Sequence, residues 1–245
     1  MRTNEVSFSI AGHAAWAPGL DTPEAWAAWA ETPFAIVGDA EPGLWQMPAM
    51  LRRRAGFLGK MALEVAYRCL AERTDVPAVF CSRHGDVARA VELLSDLAQD
   101  VAISPTGFGL AVHNASAGLF SIARADRANH AATAAGGNTI EHAVIEACGL
   151  LADGAPEVLL VAYDNCLPPI FKQFEDCSEQ AYAWAWLMTP AAANPVRLTW
   201  SATDQCAAAL ESMPAGLAIL QFFLRADHAL ERIGEQRRWC WSRDA

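Results

Sequence analysis

No run of about eighteen apolar residues occurs in the chain, so no membrane-spanning helix is expected. The first residues, Met1-Arg2-Thr3-Asn4-Glu5-Val6, lack the apolar stretch and small-residue cleavage site of a secretory leader. A soluble, cytoplasmic protein is the expectation. Positive charge is scarce as well: 18 Lys and Arg stand against 28 Asp and Glu, a net charge of −10. That balance argues against nucleic acid or an anionic membrane as a non-specific partner. The seven cysteines, Cys69, Cys81, Cys148, Cys166, Cys177, Cys206 and Cys240, include no CxxC pair, which supports neither a zinc ribbon nor a redox motif. Cys81-Ser82-Arg83-His84 offers two ligand types at close spacing, but without a second such pair no metal site is expected. Cys69 and Cys148 read as buried small hydrophobes. Repeats and linkers are missing too, so residues 1–245 read as a single domain.

What the chain does have is apolar material, 53% of 245 residues, enough for a large core. Val6-Ser7-Phe8-Ser9-Ile10 alternates as a strand does, with Gly12 and Pro18 as its stop. Thr22, followed by Pro23, is a candidate N-cap for a short helix through Trp29. Thr32 to Pro48 is rich in Pro and Gly and reads as irregular. Apolar residues recur at helical spacing from Phe57 to Leu70, giving a broad buried face. Pro77 to Cys81 reads as a buried strand, Val87 to Leu97 as a helix, and the second half of Phe108 to Ile122 as another. A strand over Ala128 to Thr133 and a helix over Thr139 to Ala152 follow. Glu157-Val158-Leu159-Leu160-Val161-Ala162 is a continuous apolar run, as in a strand covered on both faces. Strands at Tyr182–Met188 and Val196–Trp200, a helix at Gly216–Leu224 and a strand at Trp239–Trp241 complete the chain. The alternation predicts an α/β fold: a layered, mostly parallel sheet with an antiparallel edge and helices on both faces.

This order of elements resembles one half of a thiolase-like fold, as used by β-ketoacyl synthases. Several motifs carry the resemblance in sequence: Phe8-Ser9-Ile10-Ala11-Gly12 with Ala17-Pro18-Gly19 and Trp26; Ser104-Pro105; Asn114; Ala117-Gly118; Ser121-Ile122; and Ala132-Thr133-Ala134. Phe80-Cys81-Ser82-Arg83-His84-Gly85, Val112-His113-Asn114-Ala115 and the ending Arg238-Trp239-Cys240-Trp241 are similar to a narrower group. That group is the short ketosynthase-like chain length factors of aryl polyene and xanthomonadin-type pigment pathways. The likeness spans essentially the whole chain.

The resemblance implies a non-catalytic subunit that pairs with an active β-ketoacyl synthase and shapes its acyl tunnel. Its substrate would be a polyene carried on an acyl carrier protein, and no cofactor is implied. Two departures from a working synthase point the same way. Where the family's nucleophilic cysteine is expected, the chain has Ala135, followed by Gly136 and Gly137; a methyl group cannot attack a thioester. The second thiolase half, which supplies the family's histidines, is missing from this sequence. Ala131, Ala132 and Thr133 match the strand that pairs across the ketosynthase two-fold. Phe108, Leu110, His113 and Asn114 match the segment that reaches the neighbouring subunit's pocket, and an acidic carrier would need a basic patch such as Arg52-Arg53-Arg54 or Arg237-Arg238.

Plainer readings stand beside these. Gly136 and Gly137 serve equally as turn formers before a helix capped by Asn138. Phe108, Leu110 and Phe120 fit a core, His113 fits a backbone-satisfied histidine, and Arg83, His84 and Asp86 fit a polar loop network. A rival function also remains: an independent thioester-acting acyltransferase or hydrolase using Cys81 with His84, or Ser82 with His84 and Asp86.

Overall fold

The computed structural model describes residues 4–205 and 211–243; Cys206 lies outside the described residues. Eight strands form one sheet: β1 (Glu5–Trp16), β2 (Ala78–Cys81), β3 (His130–Thr133), β4 (Val158–Asp164), β5 (Tyr182–Pro190), β6 (Val196–Ala202), β7 (Ala229–Gly234) and β8 (Arg237–Arg243). Their spatial order is β3-β2-β4-β5-β1-β6-β8-β7. The helices are α1 (Pro23–Glu31), α2 (Ala49–Arg52), α3 (Phe57–Leu70), α4 (Val87–Ala98), α5 (Pro105–Gly109), α6 (Ala115–Arg124), α7 (Thr139–Ala152) and α8 (Ala215–Leu224).

The α/β class and the two-sided helix cover are as the sequence predicts. The balance of strand directions is not. Parallel pairing is confined to β2 with β3 and β2 with β4, whereas β4–β5, β5–β1, β1–β6, β6–β8 and β8–β7 are antiparallel. The reason is topological. Strand–helix–strand crossovers link only β2, β3 and β4, while β1 inserts antiparallel between β5 and β6. β1 also runs past Gly12: the bulge falls on Ala11, between Ile10 and Gly12, and Gly12 stays in the ladder opposite Leu187.

Period-two alternation divides the sheet's two faces. Tyr182, Trp184, Trp186 and Met188 of β5 join Trp239, Trp241 and residues of α1, α7 and α8 in one core. Ala181, Ala183, Ala185 and Leu187 face the other way, into a core with α3 and α6. Large rings on one face thus oppose small side chains on the other, and the small ones give α3 room. Leu159, Val161 and Tyr163 join α3's side while Val158, Leu160 and Ala162 join α7's, so β4 is covered on both faces. The predicted cap is formed: Ala25 N donates to Thr22 Oγ1 at 3.2 Å, with Pro23 opening α1.

Candidate functional site

The carboxyl ends of β2, β3 and β4 lie side by side, and the loops leaving them hold most of the residues singled out in the sequence. Such an end, where successive strands depart to opposite sides, is the usual ligand crevice of a parallel sheet. After β3 the backbone enters a 3-10 turn, Gly136–Asn138, that leads into α7. Thr139 organises this turn: its Oγ1 accepts from Ala135 N at 2.9 Å and donates to Gly136 O at 2.7 Å. Asn138 precedes α7 but makes no side-chain cap. Its Oδ1 instead accepts from Trp239 Nε1 at 3.0 Å. Ala135 is half-buried and Gly136 exposed, so the position where the resemblance expects a nucleophile carries only a methyl group, at the entry to the turn.

The loop after β2 is a closed polar network. Ser82 Oγ donates to Asp164 Oδ1 at 2.9 Å and accepts from Gly85 N at 2.9 Å. Arg83 N donates to the same carboxylate at 2.9 Å, and Tyr182 Oη donates to its Oδ2 at 3.1 Å. The Arg83 guanidinium pairs with Asp176 and donates to Cys177 Sγ at 3.0 Å. Burial pushes the Asp164 carboxyl above its ordinary range, against the pull of these donors.

Among the described residues the candidate nucleophiles and bases of this loop are not brought together. Cys81 is fully buried, and its thiol is pushed well above its ordinary value by that burial, then by the nearby Asp164 and Glu141 carboxylates. It therefore stays protonated and inert. Among the described residues no hydrogen bond joins Ser82 to His84; the imidazole instead faces Glu179 at 3.9 Å, and burial lowers its pKa. Asp86 accepts from Arg89 N at 3.2 Å and pairs with the Arg89 side chain, so it is the cap of α4 rather than a third catalytic member. Among the described residues no cluster of three or more His, Cys, Asp and Glu could hold a metal ion.

Ala131, Ala132 and Thr133 lie on β3, which closes one end of the sheet: β2 pairs with one side, and no described strand pairs with the other. All three are half-buried. Between β2 and β3 in the chain come α4 and α5, which pack together where Leu93 meets Gly107. Phe108 is 62% exposed and Leu94 59%, and Leu97, Val101 and Val112 are exposed too. Phe108 is thus no part of the core, whereas Phe120 is buried edge-to-face against Tyr67. Leu110 is half-buried against the α3 core. His113 Nε2 lies 2.9 Å from Ser82 O, under Gly85, whose φ of 68° and closeness to the imidazole both favour glycine. Asn114 is exposed at the start of α6.

Sequence reasoning missed the covering of the turn by β7 and β8. Arg232, 8% exposed, pairs with the fully buried Glu141 of α7 and donates to Gly137 O at 3.3 Å. Nothing short of three-dimensional structure joins residues so far apart in the chain. The one available signal was the lone Arg between the apolar Leu230 and Ile233.

The family model of the β-ketoacyl synthase N-terminal domain matches residues 26–242. A structure of a ketosynthase in complex with its chain length factor from Xenorhabdus doucetiae contains a chain 28% identical to this one. The TM-score is 0.85, over 97% of this chain and 100% of that one. The ishigamide ketosynthase/chain length factor is 15% identical with a TM-score of 0.62, over 81% of this chain and 68% of that one. A β-ketoacyl synthase from Burkholderia phymatum STM815 is 12% identical with a TM-score of 0.60, over 91% and 71%. None of the curated proteins matches the chain.

Proposed function

We infer the function from membership: the chain belongs to the β-ketoacyl synthase N-terminal-domain family, and within it acts as a chain length factor. It pairs with an active ketosynthase, contributes a wall to that enzyme's acyl tunnel, and carries out no condensation itself. One observation carries this reading. Strand β3 has a side that no described strand pairs with, and Phe108 of α5 and Leu94 of α4 present their side chains to solvent. The likeness to a chain from a ketosynthase–chain length factor complex supports it.

The substrate reaches the pair on an acidic carrier protein, and a basic patch suits it. Arg53 and Arg54 are exposed and have no carboxylate partner among the described residues. Arg52 lies 5.1 Å from the ring centre of Trp45, itself exposed. Arg54 lines the same cleft as Leu110, Val112 and His113, which puts positive charge beside the proposed wall.

Co-expression with the ketosynthase encoded nearest to this chain, followed by size-exclusion chromatography and product analysis, tests the reading. A stable pair that elongates, with neither chain elongating alone, is expected. Ala135→Cys is expected to stay inactive alone, because an unactivated thiol with a pKa of about 8.5 is little ionised at neutral pH. Rapid acylation of that variant, or condensation by the chain alone, would overturn the non-catalytic assignment.

A further inference from the structure

The hairpin of β7 and β8 touches every residue of the 3-10 turn at the degenerate nucleophile position. Glu235 Oε1 lies 2.7 Å from the point a Cβ on Gly136 would occupy, and Gly136 has a φ of 53°. Arg232 holds Gly137 O while its other nitrogen pairs with Glu141. Asn138 receives the Trp239 indole N–H, and its carboxamide fills space that only a glycine at 234 leaves open. The hairpin tip that brings Glu235 to Gly136 is itself strained. Glu235 and Gln236 have φ values of 46° and 63°, so both occupy left-handed backbone. A two-residue turn of this kind is met at lower cost by Asn-Gly. Strain retained at a position where a cheaper residue exists points to a task for the side chain there.

We propose that the hairpin is a clamp: Glu235 and Arg232 are positioning residues that hold the Ala135–Asn138 turn in the shape it presents to the partner subunit. The proposal rests on the reading that this turn faces a partner. It assigns to the C-terminal hairpin the support of a turn that carries no chemistry of its own. The two positioning residues work differently. Arg232 ties the turn's carbonyl to α7 through a buried ion pair, whereas Glu235 occupies the space beside Gly136 and limits how the turn can relax.

Glu235→Asn separates a clamp from mere packing. Asparagine accepts left-handed backbone more readily than glutamate and is too short to reach Gly136. The melting temperature is therefore expected to hold or rise, while amide exchange over Gly136–Thr139 speeds up by about tenfold and affinity for the co-expressed ketosynthase falls. A purely structural residue would not move stability and turn protection in opposite directions. The double variant Arg232→Met/Glu141→Gln removes both buried charges together and so avoids stranding one of them; the same loss of turn protection is expected. Wild-type exchange and wild-type affinity in both variants would overturn the clamp. Should the unmodified chain fail to bind the ketosynthase at all, the chain length factor reading falls. Exchange on the chain alone still decides the clamp: unchanged turn protection in both variants defeats it, faster exchange upholds it.

Discussion

Helices α3 and α4 carry similar apolar patterns and meet opposite fates. Nearly all of α3 is buried, from Leu58 through Leu70, because Ala183 and Ala185 of β5 leave a shallow floor for it. In α4 no residue is buried, although Val87, Val91, Leu94 and Leu97 recur at helical spacing. An amphipathic helix normally finds its apolar face a partner inside the same fold. That α4 does not, while Phe108 of α5 is exposed as well, fits the proposal that its partner is another subunit.

The sharpest way to break this contrast is at the edge strand. Ala131→Glu puts a carboxylate into the proposed interface, where an unpaired charge costs several kcal/mol, on the order of what holds such a complex together. Co-purification with the ketosynthase should be lost while the chain alone stays folded, since Ala131 is half-buried on a strand with a side that no described strand pairs with. Undiminished co-purification would move the interface elsewhere.

Next in size is a matched pair of truncations. Leu63 is fully buried in α3, and Leu63→Ala should destabilise the chain by about 2–5 kcal/mol through lost burial and a cavity. Leu94→Ala should cost no more than about 0.5 kcal/mol in the isolated chain and should matter only in the complex. Urea denaturation of the two variants, with and without the ketosynthase, measures both numbers. Equal costs in the isolated chain would mean that α4 is packed after all.

The pair also shows what the letters of the sequence can convey. Periodicity revealed that both helices exist, and the continuous run in β4 revealed a strand covered on both faces. Neither signal says which apolar face is matched within the chain, because that depends on the small residues of a strand far away. Likewise Thr22-Pro23 announced its helix start locally, while the clamp joins Arg232 to Glu141 over a long separation. The strand β7 escaped notice because its inward side is occupied by a charged residue, which breaks the alternation that marks a strand. The position of Ala135 was legible through resemblance alone; that the turn is held by Thr139 and the hairpin was not. Cys81, singled out as a possible nucleophile, has its reactivity decided by burial, which a sequence does not print.

A smaller effect distinguishes the buried network from the open face. Burial raises the Asp164 pKa in the folded chain above that of an unfolded aspartate. Its contribution to stability is therefore complete below the unfolded value of about 3.9 and declines as pH rises through the folded value. Asp164→Asn does not titrate. Relative to the unmodified chain, its melting temperature should improve as pH rises from about 4 toward neutrality. A difference that stays flat with pH would mean the donors around Asp164 fully offset its burial.

The smallest effect on stability should come from the residue expected to matter most for the product. Phe108 is 62% exposed, so Phe108→Ala opens no core cavity and should change the stability of the isolated chain by no more than about 0.5 kcal/mol. A buried phenylalanine would instead cost about 3–5 kcal/mol, so a melting curve alone decides between core and surface. In the complex the same truncation removes a ring from the proposed tunnel wall, and the products read by mass spectrometry should lengthen. Leu110 and His113 are poorer candidates for that role. Leu110 leans into the α3 core, and the His113 imidazole is tied to Ser82 O. Truncating either should therefore perturb the fold before it alters the product. Unchanged stability together with unchanged product length for Phe108→Ala would leave the ring as an interface contact and place the tunnel wall on another segment.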